Sequence, residues 1–403
     1  MPADLFRAGL GAGFFQRLET VRDKRSKMKI ASFEFNLREL SGSFGNLGTF
    51  LPLAVGYIAV CGLDPAGLLV MMGLANIATG IAYRLPVPIE PMKVIAAAAI
   101  AQKWSPSLVY AAGFSMGVIW LLFAVTGLAS RLARITPAPV VWGIQASLGI
   151  LLVIEAFRML STFWLLGGLA LLIGLLLRSS RHAPAAVVLV IVGVIYMGIR
   201  GELAAVKSPG FMLPPFTLFS FREVWQSLVL AGFAQIPLTI TNATIATSCL
   251  ISAYWPERSV SPRVLSFSQG LMNFAAPFFG GMPMCHGAGG LAGRRLFGAR
   301  TGGTNIMEGI VELTLGLFLA SSVGGLFGAF PRAVTGAMLL LVGMELLKFT
   351  REVKDRRGIF SMATTVAVSL ASNMAFGFLA GISASLLASR LPDGRKKIKE
   401  DAG

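Results

Sequence analysis

Charge is what this 403-residue chain has least of: Asp, Glu, Lys and Arg together make 13% of it, where a soluble domain carries about 25%. With 55% hydrophobic residues and a mean hydropathy of +0.73, that excludes a water-soluble globular protein. Cysteine is scarce too. Cys61, Cys249 and Cys285 fall in apolar or glycine-rich stretches, which argues against a disulfide framework. The sequence has no HExxH pattern, no CxxC and no pair of metal-binding aspartates. It therefore gives no support to an integral membrane enzyme, and no cofactor and no metal are expected. Nor is there an apolar run in the first 40 residues long enough for a signal peptide. Those residues carry eight Lys/Arg and five Asp/Glu and read as a basic cytoplasmic tail. Leu5 to Leu18 fits a short interfacial helix equally well, and Met28 would serve as a start as well as Met1.

What is present is apolar length. Fourteen segments can be drawn, at roughly 20 residues for a full crossing. The first seven run over about 44–62, 65–83, 91–103, 107–130, 138–158, 161–178 and 184–200. The second seven run over about 223–253, 262–280, 284–296, 302–325, 331–349, 358–373 and 376–390. The expected fold is thus an all-α polytopic membrane protein. Its parts are a tail at 1–40, a first repeat at 41–200, an extracytoplasmic connection at 201–222, a second repeat at 223–391 and a tail at 392–403. The formal net charge of +16 could suggest nucleic acid. Its distribution argues otherwise. With the N-terminus inside, inner loops hold fifteen Lys/Arg, Arg84 and Arg294 among them, against six in outer loops. That is the positive-inside pattern, with both termini cytoplasmic and a lipid bilayer as the partner. Seven is odd, so a second copy of the first seven must be inverted.

Two stretches interrupt this pattern. Arg84–Ala99 (RLPVPIEPMKVIAAAA) holds Pro86, Pro88 and Pro91, then a run of helix formers. Proline biases its predecessor to extended backbone and suits a first helical turn. A short strand followed by a half-helix is expected. Gly280–Gly293 (GGMPMCHGAGGLAG) repeats the plan in the second half. Irregular backbone at membrane depth lines a cavity or is buried in protein. In an inverted repeat, half-helices three and ten point their N-termini at each other. Each offers unpaired N–H groups and about half a positive charge, which suits an anion.

Candidate residues follow from this picture, each with a structural alternative. His286, Gly287, Ala288 and Gly289 would admit an oxyanion close to the backbone, or let helices pack. Pro91 and Met92 shape the other helix start. Glu90 and Lys93 read as proton carrier and anion partner, or as an ion pair bracing the break. His286 titrates, or donates to a carbonyl. Cys285 reads as a small packing residue. Asn46 and Thr49 in segment one, with Thr239, Thr241 and Asn242 in segment eight, offer neutral donors on two discontinuous spans, or bond between helices. Glu308 and Glu312 lie four apart on segment eleven, and Glu308 joins Glu90 and His286 as a coupling candidate.

Glu39–Pro52 (ELSGSFGNLGTFLP), Pro88–Ala97 (PIEPMKVIAA) and Pro283–Gly293 (PMCHGAGGLAG), continued by Phe297–Gly303 (FGARTGG), resemble the molybdate transporter family, a branch related to the SulP sulfate permeases. The match covers about 38–391. It implies the fold shared by sulfate and uracil permeases: two inverted repeats of seven segments. Segments 1–4 and 8–11 would form a core domain, and 5–7 and 12–14 a gate. It also implies a secondary active transporter of a tetrahedral oxyanion, molybdate foremost, bound between half-helices three and ten. Sulfate is the nearest rival substrate and a nucleobase a more distant one. The resemblance further implies a coupled proton or sodium ion, a homodimer, and residence in a bacterial inner membrane. Two positions depart from the family pattern. Asn46 stands where an acidic residue is common, and Glu90 where glutamine is. No STAS domain is expected after segment fourteen.

Overall fold

The computed structural model describes residues 28–30, 33–129, 131, 136–177, 185–205 and 208–390. Residues 1–27 and 31–32 of the tail expected at 1–40, and all of the tail expected at 392–403, lie outside them. Among the described residues the chain is almost entirely helical. The first half contains α1 (Leu37–Ala59), α2 (Pro65–Tyr83), α3 (Lys93–Gln102), α4 (Pro106–Thr126), α5 (Ala138–Leu160), α6 (Trp164–Leu177) and α7 (Ala185–Ile199). The second contains α8 (Phe221–Tyr254), α9 (Pro262–Ala275), α10 (Ala288–Phe297), α11 (Gly303–Phe318), α12 (Ala320–Gly328), α13 (Arg332–Leu347), α14 (Arg356–Ala371) and α15 (Met374–Arg390). Four short strands form two antiparallel pairs: β1 (Met28–Ile30) with β2 (Phe33–Phe35), and β3 (Glu90–Pro91) with β4 (Met284–Cys285).

The helix starts follow from local chemistry. Asp64, Ser105 and Ser261 each accept a backbone N–H from the first turn, and a proline follows each cap. Ser220 and Glu223 form a reciprocal capping box at the start of α8. Arg84 and Lys103 end α2 and α3 in the left-handed region, a task usually left to glycine.

Among the described residues, five helices are long and apolar enough to cross a membrane: α2, α4, α5, α8 and the stretch 332–352 that begins with α13. A sixth appears if α11 and α12, bent by 83° at their junction, count as one span. That bend was not expected, because segment eleven reads as continuous. It forms where the extended connection takes helix carbonyls for itself: Gly210 donates to Phe318 and Met212 to Leu317. The expected discontinuity in segment one is likewise absent. α1 runs unbroken through Pro52. Segment eight is also one helix, but it relaxes into π-helical turns at Leu228–Gly232 and Thr239–Ala246 around Pro237. A proline removes one i→i−4 donor, and wider turns absorb the loss.

Glycine seams hold the centre together. α2 packs on α11 where Gly73 faces Gly309, and a Cβ on Gly73 would lie 2.7 Å from the Gly309 carbonyl oxygen. α4 packs on α9 at Gly270, where a Cβ would fall 2.7 Å from the Leu121 backbone nitrogen. α1 packs on α10 through Gly45 and Gly293. In lipid such small-residue contacts replace the hydrophobic drive that water would supply. Glu39 of α1 reaches the loop after α10, accepting from the N–H groups of Arg300 and Thr301 and from the Thr304 hydroxyl. Two sequence motifs from different halves of the chain thus meet.

Candidate anion-binding site

The two proline-broken stretches meet in the middle of the molecule. β3 and β4 pair Glu90 with Cys285 and Pro91 with Met284. The Met92 N–H adds a bond to the Pro283 carbonyl at 3.0 Å. Prolines have no N–H to give, so the ladder stays short. Asn273 of α9 reinforces it, accepting from Met284 N at 2.8 Å and donating to Met284 O at 2.5 Å. From this knot α3 and α10 start in turn, with Met92 and Gly287 as N-caps and no side-chain cap at either.

The first turn of α3 finds its acceptor on another helix. Gln235 of α8, fully buried, accepts from Val94 N at 2.9 Å through its Oε1. Its Nε2 donates to Thr239 Oγ1 at 2.6 Å. The Thr239 oxygen is then an acceptor to Gln235 and keeps its own proton for a third group. Lys93 lies beside them, its ammonium 3.1 Å from the Glu90 carboxylate. The Lys93 side chain is 23% exposed, that of Glu90 1%. A small cleft opens here, lined by Lys93, Gln235, Leu238, Thr239, Asn242, Ala243 and Cys285. One ammonium, two amides and one hydroxyl thus surround it, at the N-terminus of a helix.

The N-terminus of α10 is treated differently. A Cβ on Gly287 would fall 2.5 Å from Glu90 Oε2, so the carboxylate packs against that helix end. Gly287 itself has φ −151°, ordinary extended backbone. Its glycine serves close approach, and the group approaching is Glu90. Gly289, one residue into α10, is exposed, and a Cβ there meets nothing within 4 Å. Ala288 is the buried first residue of the helix.

The remaining candidates divide. Asn242 and Cys285 line the cleft with Lys93. Pro91 and Met92 are buried just before Lys93 and are not part of the cleft lining. Thr241 bonds back to its own helix, to the carbonyls of Pro237 and Leu238. Thr49 is half-buried on α1, and Asn46 lies on the same helix with a side chain outside the described residues. His286 has both ring nitrogens engaged, Nδ1 with the Pro88 carbonyl at 3.0 Å and Nε2 with Ser268 Oγ at 2.7 Å. That is the geometry of a brace between the two breaks. Glu308 stands away from the cleft, ion-paired with Arg294. Arg294 was counted among the cytoplasmic loop residues, but it is fully buried on α10. It sits on the inward face of a helix and not in a loop. Sequence reading also missed Gln235. The clue was its place one turn before Thr239, but an amide on an apolar span reads as a packing residue.

Two short helices starting from an antiparallel strand pair, between helices packed on glycine seams, define a membrane anion transporter fold. Among solved structures it resembles the transmembrane domain of the cyanobacterial bicarbonate transporter BicA, with TM-score 0.62, 15% identity and coverage of 91% of this chain and 99% of that one. SLC26A9 is similar at TM-score 0.65 and 12% identity, over 88% and 65% of the two chains. The family model described as "Molybdate transporter of MFS superfamily" matches residues 38–152 and 227–346. The chain is 32% identical to molybdate transporter 1 of Arabidopsis thaliana over 92% of its length and 90% of that protein. It belongs to the molybdate transporter family, whose members are transporters and not enzymes.

Proposed function

We propose that this protein is a secondary active transporter of a tetrahedral oxyanion, molybdate, and that the anion binds in the Lys93 cleft between α3, α8 and β4. One observation carries the reading. An ammonium, two amides and a hydroxyl with a free proton converge on a cleft at a helix N-terminus, and such donors match an oxyanion in number and sign. Lys93 is shared between Glu90 and the anion, and Glu90 holds the start of α10. The names of the relatives support molybdate.

The inverted repeat is supported by the way helices pair. Exchanging segments one to seven with eight to fourteen turns the α2–α11 contact into the α9–α4 contact, and both occur. It also turns the β3–β4 ladder onto itself, and that ladder is antiparallel. On this reading fourteen segments form the repeat, with α1–α4 and α8–α12 as core, α5–α7 and α13–α15 as gate, and both termini cytoplasmic. Uptake by proteoliposomes of purified protein tests the function: saturable molybdate entry is expected, with sulfate competing more weakly and uracil not at all. Sulfate entry indifferent to excess molybdate would overturn the substrate, and a chemically altered product would overturn the class.

A further inference from the structure

A second concentration of buried charge lies outside the cleft, where α2, α10 and α11 meet. Arg294, fully buried, ion-pairs with Glu308. Its Nη1 donates to Asn305 Oδ1 at 2.8 Å. Asn305 Nδ2 donates to Asn76 Oδ1 at 3.1 Å and to the Val87 carbonyl at 2.6 Å. Asn76 Nδ2 completes the chain by donating to Glu312 Oε2 at 2.8 Å. Glu312 sits one turn beyond Glu308 on α11 and is 5% exposed. Among the described residues it has no cation in ion-pair range.

The cluster is short of one positive charge, and Glu308 lacks a donor although Arg294 Nε, buried in the same cluster, also has no partner. It holds two carboxylates and one guanidinium. No other element facing it makes up the difference. α2 and α12 bring no charged side chain. Glu90, behind Arg294, is already paired with Lys93. Glu34 and Glu39, with Arg38 and Arg300, lie toward the start of α11, where Glu39 is bound by Thr304. Glu308 Oε1 is buried with no hydrogen-bond partner. A buried carboxylate without a partner is costly, and its neutral acid far less so. One proton shared between two carboxyls a turn apart would supply both the charge and the donor. A metal cation fits poorly, because Arg294 and Asn76 turn N–H groups, not oxygens, toward the carboxylates.

We propose that the Glu308–Glu312 pair is the proton-binding site of this transporter. This rests on the oxyanion reading above and names its coupling ion. The step is one protonation: a carboxylate takes H⁺ from the water on the side from which the anion enters, and the acid releases it on the other. Two connections reach the cleft. α10 carries Gly287 at its start and Arg294 two turns on. Asn305 holds the carbonyl of Val87, three residues before Glu90. A bound proton cancels the surplus negative charge near an arriving dianion, and the dianion in turn favours the proton, so each raises the affinity of the other.

The test uses purified protein in vesicles and reads the ratio of pH-gradient-driven molybdate accumulation to molybdate self-exchange. A marked stimulation by an inward proton gradient is expected in wild type and none in Glu312→Gln. Glu308→Gln, which frees Arg294 to pair with an ionised Glu312, should also lose it. Wild-type stimulation in Glu312→Gln, or wild-type uptake driven by sodium and indifferent to pH, would overturn the proposal. Infrared spectroscopy decides without transport. The carbonyl band of an un-ionised carboxylic acid should be present in wild type and lost in Glu312→Gln. Its absence from the wild-type protein would refute the proton site even if molybdate is carried, and its presence would stand even if another anion is. Should Glu312→Gln not fold, Glu308→Gln gives the same two readouts.

Discussion

Lys93 keeps its ammonium 3.1 Å from Glu90 yet shows a quarter of its side chain to the cleft. Lys93→Met removes the cation a dianion would meet and leaves Glu90 buried without a partner. Molybdate binding, measured by titration calorimetry, should weaken roughly tenfold to hundredfold, as for loss of a charge-assisted hydrogen bond. The two glycines of the α10 start should behave differently from each other. Gly287→Val drives a side chain into the Glu90 carboxylate, so thermal stability and binding should fall together. Gly289→Val meets open space. Its melting temperature should stay at the wild-type value while molybdate binding drops. Unchanged binding there would place the anion wholly on the α3 side. These residues were legible in the sequence because proline and glycine cluster there and ionisable residues are rare in apolar spans. Their partners were not. Nothing in the pattern of α10 says that the group nearest Gly287 is a carboxylate from the other half of the chain.

The half-helix α3 depends on α8 for its first turn. Gln235→Ala leaves the Val94 and Ile95 N–H groups without their acceptor, a loss of about 1–2 kcal/mol if capping costs are typical. Gln235→Glu separates structure from binding: an anionic cap should hold the N–H groups as well or better but repel a dianion. Thermal melts should rank Glu at or above Gln and both above Ala, while molybdate binding should be lost in the Glu variant. At this scale the sequence was most informative about starts and breaks, which are local. Asp64, Ser105 and Ser261 mark three helices, and Pro86, Pro88 and Pro91 mark the first break. It was least informative where one element changes another. The bend after Phe318 arises from a tertiary partner: α11 breaks because the connection borrows its carbonyls.

For the whole molecule, hydropathy and basic residues gave a topology that labelling can check. Single cysteines at Lys354 and at Leu213 should react from opposite faces of the membrane, the first from the cytoplasm. Reaction of both from one side would refute the arrangement. Arg294 shows where such counting misleads, since an arginine near a helix end looks like a loop residue until its buried partner Glu308 is known.

The β3–β4 ladder has a further consequence, in mechanical terms. A hydrogen-bonded splice between the two halves, clamped by Asn273 and His286, removes the freedom of α3 and α10 to slide or part. The cradle therefore cannot open by separating its jaws. On the proposed function, access alternates by changing which compartment reaches a cradle of fixed shape. Spin labels at Lys103 and Leu296, near the far ends of the two half-helices, should report one distance with and without molybdate, even as a label pair joining Lys103 to α13 reports two.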